Sequence, residues 1–272
     1  MMDFSREGFY DAPFPSLDLQ DDAGYFDLDR LPNRTVSPLL ASVISLIEDA
    51  NGAGLNSPIH MRTTSPIMAS SLPTLAGSVE DGASVFLIDV TPGSPTHLVR
   101  TPIYVAYIPD AELYGATQVL SIVPLQGAPL RPRTTYAAVV TTCVHDESDL
   151  PLVQSASMRT LARGGRPNGM TSEDASAYHA ALAGLVSDGV ASDDVAGVAV
   201  FTTADPSVQI EAVRDHALAN LPTLKSPFTH IETFDGYCVF EATVDMPVYQ
   251  SGVPPFVADG GRWAFDETRT PV

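Results

Sequence analysis

Lysine is almost missing from this chain. Lys225 stands alone, and 14 basic residues face 33 acidic ones, for a net charge of -19. That balance excludes a nucleic-acid binder, because phosphates need lysine and arginine partners. Cysteine is scarce too: Cys143 and Cys238 allow one disulfide or two separate thiols acting as small buried apolar residues, and the latter is favoured. Cys143 with His145 is too small a set for a metal. No apolar run approaches the roughly 18 residues that cross a bilayer. The opening MMDFSREGFYD has neither the basic start nor the apolar stretch of a secretory leader.

Catalytic signatures are missing as well. An α/β-hydrolase places its serine in GxSxG, because small flanking residues permit the strained strand-to-helix turn. Gly77-Ser78 and Gly93-Ser94 come nearest, but Ser78 is followed by Val79-Glu80 and Ser94 by Pro95. There is no HGGG, HExxH or GK[ST] motif. His60, His97, His145, His179, His216 and His230 are scattered, and no triad is assigned from them. The chain is therefore expected to carry no catalytic, cofactor-binding or metal residues of its own.

What is present is β-sheet. From Ser84 to Val153 the chain reads SVFLIDV, then HLVRTPIYVAYIPD, then TQVLSIVPLQGAPLRPRTTYAAVVTTCVHDESDLPLV. Each run is short, rich in β-branched and aromatic residues and bounded by Pro, Gly or Asp, as consecutive antiparallel strands are. Tyr136, Ala138 and Val140 share one strand face by period two. Tyr136 follows a proline-containing corner, where its ring can be buried while its hydroxyl returns to nearby backbone.

The flanks read differently. Residues 1–35 are rich in Asp, Pro and aromatics. Asp18, Asp21, Asp22, Asp27 and Asp29 gather around Gly24 without the ligand spacing or closing Glu of an EF-hand, so a solvated turn is favoured over calcium. Ser37-Pro38 opens a helix with Leu39, Val43, Leu46 and Ile47 on its expected packing face, and Asn51-Gly52 ends it. Ile59–Arg62 follows as a strand. MRTLARGGRPNG looks like a junction, after which the period becomes helical: Tyr178, Leu182 and Leu185 line one helix, and Ile210, Val213, Ala217 and Leu221 another. Between them lies a strand from Val195 to Thr203, and Tyr237–Val244 with Gly261–Phe265 forms an expected last strand pair.

The pattern PLxPxTxYxxxVT, followed by an Asp-rich turn and LPL, resembles the Ig-like domain of bacterial surface and secreted proteins. The opening DFSREGFYDAPFPS and the closing VYQSGVPPFVADGGRWAFDETRTPV resemble the N-terminal region of large secreted or lipoprotein α/β-hydrolases of the lipase or esterase type. The resemblance covers nearly the whole chain, and its motifs are structural. It implies an α+β chain: an extension and helix over 1–57, an Ig-like antiparallel β-sandwich over 58–160, a linker at 161–170, and a smaller mixed α/β segment over 171–272 leading into a hydrolase core absent from this chain.

The function implied is a non-catalytic accessory or scaffold region of an exported hydrolase, extracellular or at the cell surface, its leader not included. The partner would be a C-terminal α/β-hydrolase domain packing near Tyr249, Phe256 and Trp263, which the prolines of PVYQSGVPPF hold in an extended strap. Two alternatives are a free-standing Ig-like binding or adhesion module and a serine hydrolase with an unfamiliar site. An exposed apolar surface at the C-terminal end favours the accessory reading, and a polar one the free-standing module.

Overall fold

The strand Val85–Asp89, β2, has no polar alternation: all five of its residues are buried. A strand of this kind needs both faces of its sheet covered. A computed structural model of the chain describes residues 2–112, 116–256 and 260–272. It meets that requirement with three layers. β2 lies in a four-stranded antiparallel sheet ordered β3 (Arg100–Thr101), β2, β6 (Thr135–Thr141) and β7 (Val195–Thr202). On one face, Val85, Leu87, Ala138, Val140 and Phe201 meet Ile59, Met61, Ile103, Leu120 and Ile122 of a second antiparallel sheet. That sheet is ordered β1 (Ile59–Arg62), β5 (Thr117–Pro124), β4 (Ile103–Asp110). On the other face, Phe86, Ile88, Val139, Val198 and Val200 pack against two helices, α2 (Ala156–Ala162) and α3 (Ser172–Ser187). The chain is thus α+β, with its paired strands antiparallel.

The edge strand β7 faces both cores by alternation and carries one irregularity. Val140 is paired with Gly197 but Thr141 with Val195, so one extra residue sits in β7. Such a bulge reverses which side chains face which layer. Val195 and Val198 therefore both point to the helices, although they are three residues apart, while Ala196 and Ala199 both face the second sheet. At the strand's far end, Phe201 stacks on Tyr136 with ring centroids 6.2 Å apart. The Tyr136 hydroxyl accepts a hydrogen bond from the Arg131 backbone N–H at 3.1 Å, as its corner position suggests.

The segment expected to be a linker at 161–170 instead joins two helices of one layer. α2 already runs through Ala162, capped by the Ser155 hydroxyl, and α3 starts at Ser172, capped by the Thr171 hydroxyl. Gly169 closes the turn with φ +82°. A Cβ there would lie 2.1 Å from the Phe4 carbonyl oxygen, so only glycine admits the N-terminal segment alongside. The compact units divide further on, as Met1–Asp205 and Pro206–Val272. The physical reason is the pairing of β6 with β7, which ties the sequence on both sides of the expected linker into one sheet.

Residues 1–57 likewise do not form a separate extension. Met2, Phe4 and Ala12 belong to the core under the helices, and Phe9, Phe26 and Leu28 to the core between the sheets. The helix α1 (Pro38–Glu48) packs through Ile44, with Leu40 and Ile47 partly buried beside it. Leu39, Val43 and Leu46, expected to face the core, point to solvent. Its apolar residues cover roughly 160° at 100° per residue, and the core takes only one half of that arc.

The N-terminal segment is fastened by a buried ion pair. Arg6 and Asp18 are both almost fully enclosed, with Nη2 and Oδ2 2.7 Å apart. The remaining Arg6 donors reach the carbonyls of Phe9 and Pro13 and the Ser16 hydroxyl, and Ser16 donates to Asp18. Removing one member strands the other charge, which costs about 3–5 kcal/mol. Arg6→Ala is expected to lower unfolding stability by about that amount in urea titration. Adding Asp18→Leu should recover only part of it, because the Phe9 and Pro13 carbonyls stay without their donor.

Candidate functional site

Among its described residues the second unit, Pro206–Val272, has one helix, α4 (Val208–Ala219), and two hairpins. β8 (Thr229–Phe234) pairs with β9 (Tyr237–Glu241), and β10 (Gln250–Gly252) with β11 (Gly260–Trp263). The expected pairing of the strand at 237 with the strand at 261 is thus replaced by two local hairpins. Gly236, with φ +94°, closes the first of them in the turn between Phe234 and Tyr237.

This unit buries very little of its own apolar material. Val213 and Pro271 are the two side chains among its described residues that are buried. Ile210 and Leu221, expected on the packed stripe of α4, are exposed. Every residue of β8 and β9 is exposed. The hairpin nevertheless carries Phe228 at its root (66% exposed), Ile231, Phe234, Tyr237, Val239 and Phe240 (54% exposed). Phe234 stacks on Tyr237 at 5.0 Å, and His230 meets Phe240 edge-on at 5.4 Å. A two-stranded hairpin with neither face covered is marginally stable in water, and soluble surfaces rarely carry apolar patches of this kind without a partner.

The three aromatics expected to meet a partner lie on or beside the second hairpin. Gln250 is opposite Trp263, the Ala264 N–H donates to the Tyr249 carbonyl at 2.8 Å, and Phe256 packs against Gly261. Trp263 is exposed, while Tyr249 and Phe256 are half-buried. Tyr249 is held to α4: its hydroxyl and His216 Nδ1 are 3.0 Å apart, with the rings edge-on. Both line an open cavity of about 440 Å³ together with Asn220, Asp245 and Met246. The larger apolar surface is the β8–β9 hairpin. Its signal in the sequence was Phe228, Phe234, Tyr237 and Phe240 crowded into 13 residues.

The other candidate residues are accounted for individually. Ser78 is buried, donating to the Leu75 carbonyl and accepting from Ile103 N–H. Ser94 donates to Asp89, which also accepts from the Thr96 hydroxyl and Thr91 N–H. Burial alone would raise the Asp89 carboxyl, but these donors hold it below the ordinary carboxylate range. Ring nitrogens of His145, His179 and His230 meet Asp149, the Gly165 carbonyl and the Thr233 hydroxyl. His60 lies beneath Tyr10 with its buried Nδ1 lacking a partner, and burial pushes it below the ordinary histidine value.

Cys143 and Cys238 are free thiols and exposed, not buried. Around Gly24, Asp21 accepts from Ala23 and Tyr25 N–H, Asp27 from Asp29 N–H, and Asp29 pairs with Arg34, which is the chemistry of a turn. Among the described residues no group of three His, Cys, Asp or Glu is placed to hold a metal. No described helix is long and apolar enough to cross a membrane. No protein-family model matches the chain, and no curated protein or solved structure does.

Phe240→Ser is expected to leave the unfolding free energy from urea titration unchanged within about 0.5 kcal/mol, as an exposed site does, while lowering the fluorescence of a bound apolar dye. Phe201→Ala, in the first unit's core, should cost about 3–5 kcal/mol. On acidification two losses are expected in sequence. His60 has a depressed folded value, so its contribution is complete above about pH 6.5 and declines as pH falls through that folded value. Asp89 contributes above about pH 3.9 and is lost below that, as pH falls through its depressed value. His60→Phe should flatten the decline between neutral and mildly acid pH in denaturant titrations, and Asp89→Asn should flatten the later one.

Proposed function

We propose that this chain is the non-catalytic, N-terminal accessory region of an exported lipase- or esterase-like hydrolase. Its first unit, read as an Ig-like support, holds the chain rigid, and its second unit seats the catalytic domain. The observation that carries the reading is the uncovered β8–β9 hairpin, whose aromatic side chains belong in a core that residues 206–272 do not supply. Tyr249, Phe256 and Trp263 would extend the same contact. An apolar surface at this end favours an accessory role over a free-standing adhesion module. The network that holds Ser94 to Asp89, and the burial of Ser78, disfavour a nucleophile at either serine.

The deciding experiment is to read the coding frame beyond Val272 and purify the longer product beside this chain. The expected outcome is a continuation into a strand, an HG-type turn and GxSxG, with short-chain ester hydrolysis by the longer product only. Hydrolysis by the present chain, lost on substituting one of its serines, would refute the accessory role; so would a stop codon after Val272.

A further inference from the structure

The first unit has four sheet edges, at β1, β4, β3 and β7. Phe14 pairs with His60 of β1, each N–H donating to the other's carbonyl. In β7 the outward N–H groups of Val198 and Val200 donate to the Met2 sulfur and the Tyr178 hydroxyl, and the Thr202 carbonyl accepts from Ala53. β3 is two residues long. β4, with eight, stays open. The Leu125 N–H donates to the Pro102 carbonyl, and Ile103 lies opposite Pro124. That register turns the backbone groups of Tyr104, Ala106 and Ile108 towards β5, and those of Ile103, Val105, Tyr107 and Pro109 away from it. The Ile103 N–H donates to the Ser78 hydroxyl, and proline has no N–H. No described residue takes up the outward N–H and C=O of Val105 and Tyr107.

Tyr107 and Pro109 also wall an open cavity of about 590 Å³, together with Pro66, Ile67, Met68 and Glu147. The Glu147 N–H donates to the Pro66 carbonyl, which fixes an acidic turn beside the apolar wall. No described basic side chain pairs with the Glu147 carboxylate. Burial first, and then the charge of Glu147, raise the Tyr107 hydroxyl above its ordinary value. From Thr101 to Leu130 the chain has no basic residue, while Asp110 ends β4 and Glu112 follows it. The open edge therefore runs beside a cavity that is apolar along its wall and negative at its rim.

We propose that β4 accepts an extended basic peptide as an added antiparallel strand, with one lysine or arginine side chain seated in the cavity against Glu147. Outward N–H and C=O groups in a row fit an extended backbone, which supplies the opposite groups at the same spacing. The residue opposite Tyr107 lies on the same sheet face as Tyr107, and that is the face of the cavity. A long basic side chain lays its stem along Pro66, Ile67 and Met68 and brings its charge to the carboxylate. A second copy of the chain fits worse. Pairing two β4 strands across a two-fold axis at Ala106 would put Val105 opposite Tyr107, bring no base to Glu147, and set two chains of net charge -19 together. The ladder is short, bounded by the Ser78 contact and Pro109, so binding is weak and reversible. It involves the first unit alone and is independent of what covers the β8–β9 hairpin.

Amide hydrogen exchange and fluorescence anisotropy of the full chain test it, with a labelled octapeptide of alternating lysine and valine as the probe. Without peptide, the Ala106 and Ile108 amides should exchange slowly and those of Val105 and Tyr107 fast. Saturating peptide should slow Val105 and Tyr107. The matching glutamate–valine peptide should bind more weakly, and the fully N-methylated lysine peptide, which keeps its charge but has no donors, should not bind. Glu147→Gln, at an exposed position, should weaken the lysine peptide about two- to fivefold with unfolding unchanged, and Phe240→Ser should leave binding as it was. No binding up to about 1 mM would overturn the proposal. So would equal binding of the N-methylated peptide, which is capture by charge alone, or no change at the Val105 and Tyr107 amides. Binding indifferent to Glu147→Gln, or lost with Phe240→Ser, would place the peptide elsewhere and overturn it too. Slow exchange at Val105 and Tyr107 without peptide, in a chain that sediments as a dimer, would overturn it in favour of a second copy.

Discussion

Burial of both faces of the β3–β2–β6–β7 sheet is the constraint on which the rest of the first unit depends. It requires a second sheet on one side and helices on the other, and so it recruits β7 from beyond the segment that looks like a linker. The bulge between Val195 and Gly197 in β7 shifts by one which residues face each layer at that end of the strand. The N-terminal segment follows from the same demand. Two strand layers and two helices leave openings at their margins, and Met2, Phe4, Phe9 and Phe26 fill them. Arg6, held by Asp18, then satisfies the Phe9 and Pro13 carbonyls that such an irregular plug carries inward. A buried ion pair does not add stability by itself, but it makes the position of the plug unambiguous.

The β runs were legible because turn residues punctuate them, and α3 because its capping residue and helical spacing agree. Tyr136 was legible for a third reason: its corner fixes a hydrogen bond that few other residues can supply. Two-sided burial erased other information. In β2, FLI gives no alternation, so nothing in the run says which neighbour lies on which face. α2 was hidden because MRTLA is short and flows straight into Gly164-Gly165, whose turn chemistry dominates the window. For α1 the period was right and the facing wrong. Its apolar arc is wider than the surface it meets, and periodicity cannot say which half of a wide arc is covered.

The second unit failed differently. Its strands were foreseen near Tyr237 and Gly261, but their partners were not, because the local turn at Gly236 and the short separation of β10 from β11 win over pairing across more than 20 residues. The apolar stripe of α4 was a fair reading of its sequence. It stays exposed because residues 206–272 contain too little other material to close over it. The sequence reading placed the partner surface on the proline-rich strap and passed over the exposed aromatics of the β8–β9 hairpin.

The plug also sets an order of events. The Met2 carbonyl accepts from the Ser155 hydroxyl, and the Met2 thioether sulfur from the Val198 N–H, so the segment around Met2 is held by residues some 150 and 200 positions later in the chain. Neither core can close while the chain is still short. During synthesis the N-terminal aromatics must wait in solution until β7 has emerged, and contacts of such long range slow folding and leave apolar surface open meanwhile. The acidic composition then has a purpose apart from any partner: it keeps an unfinished chain from meeting its neighbours.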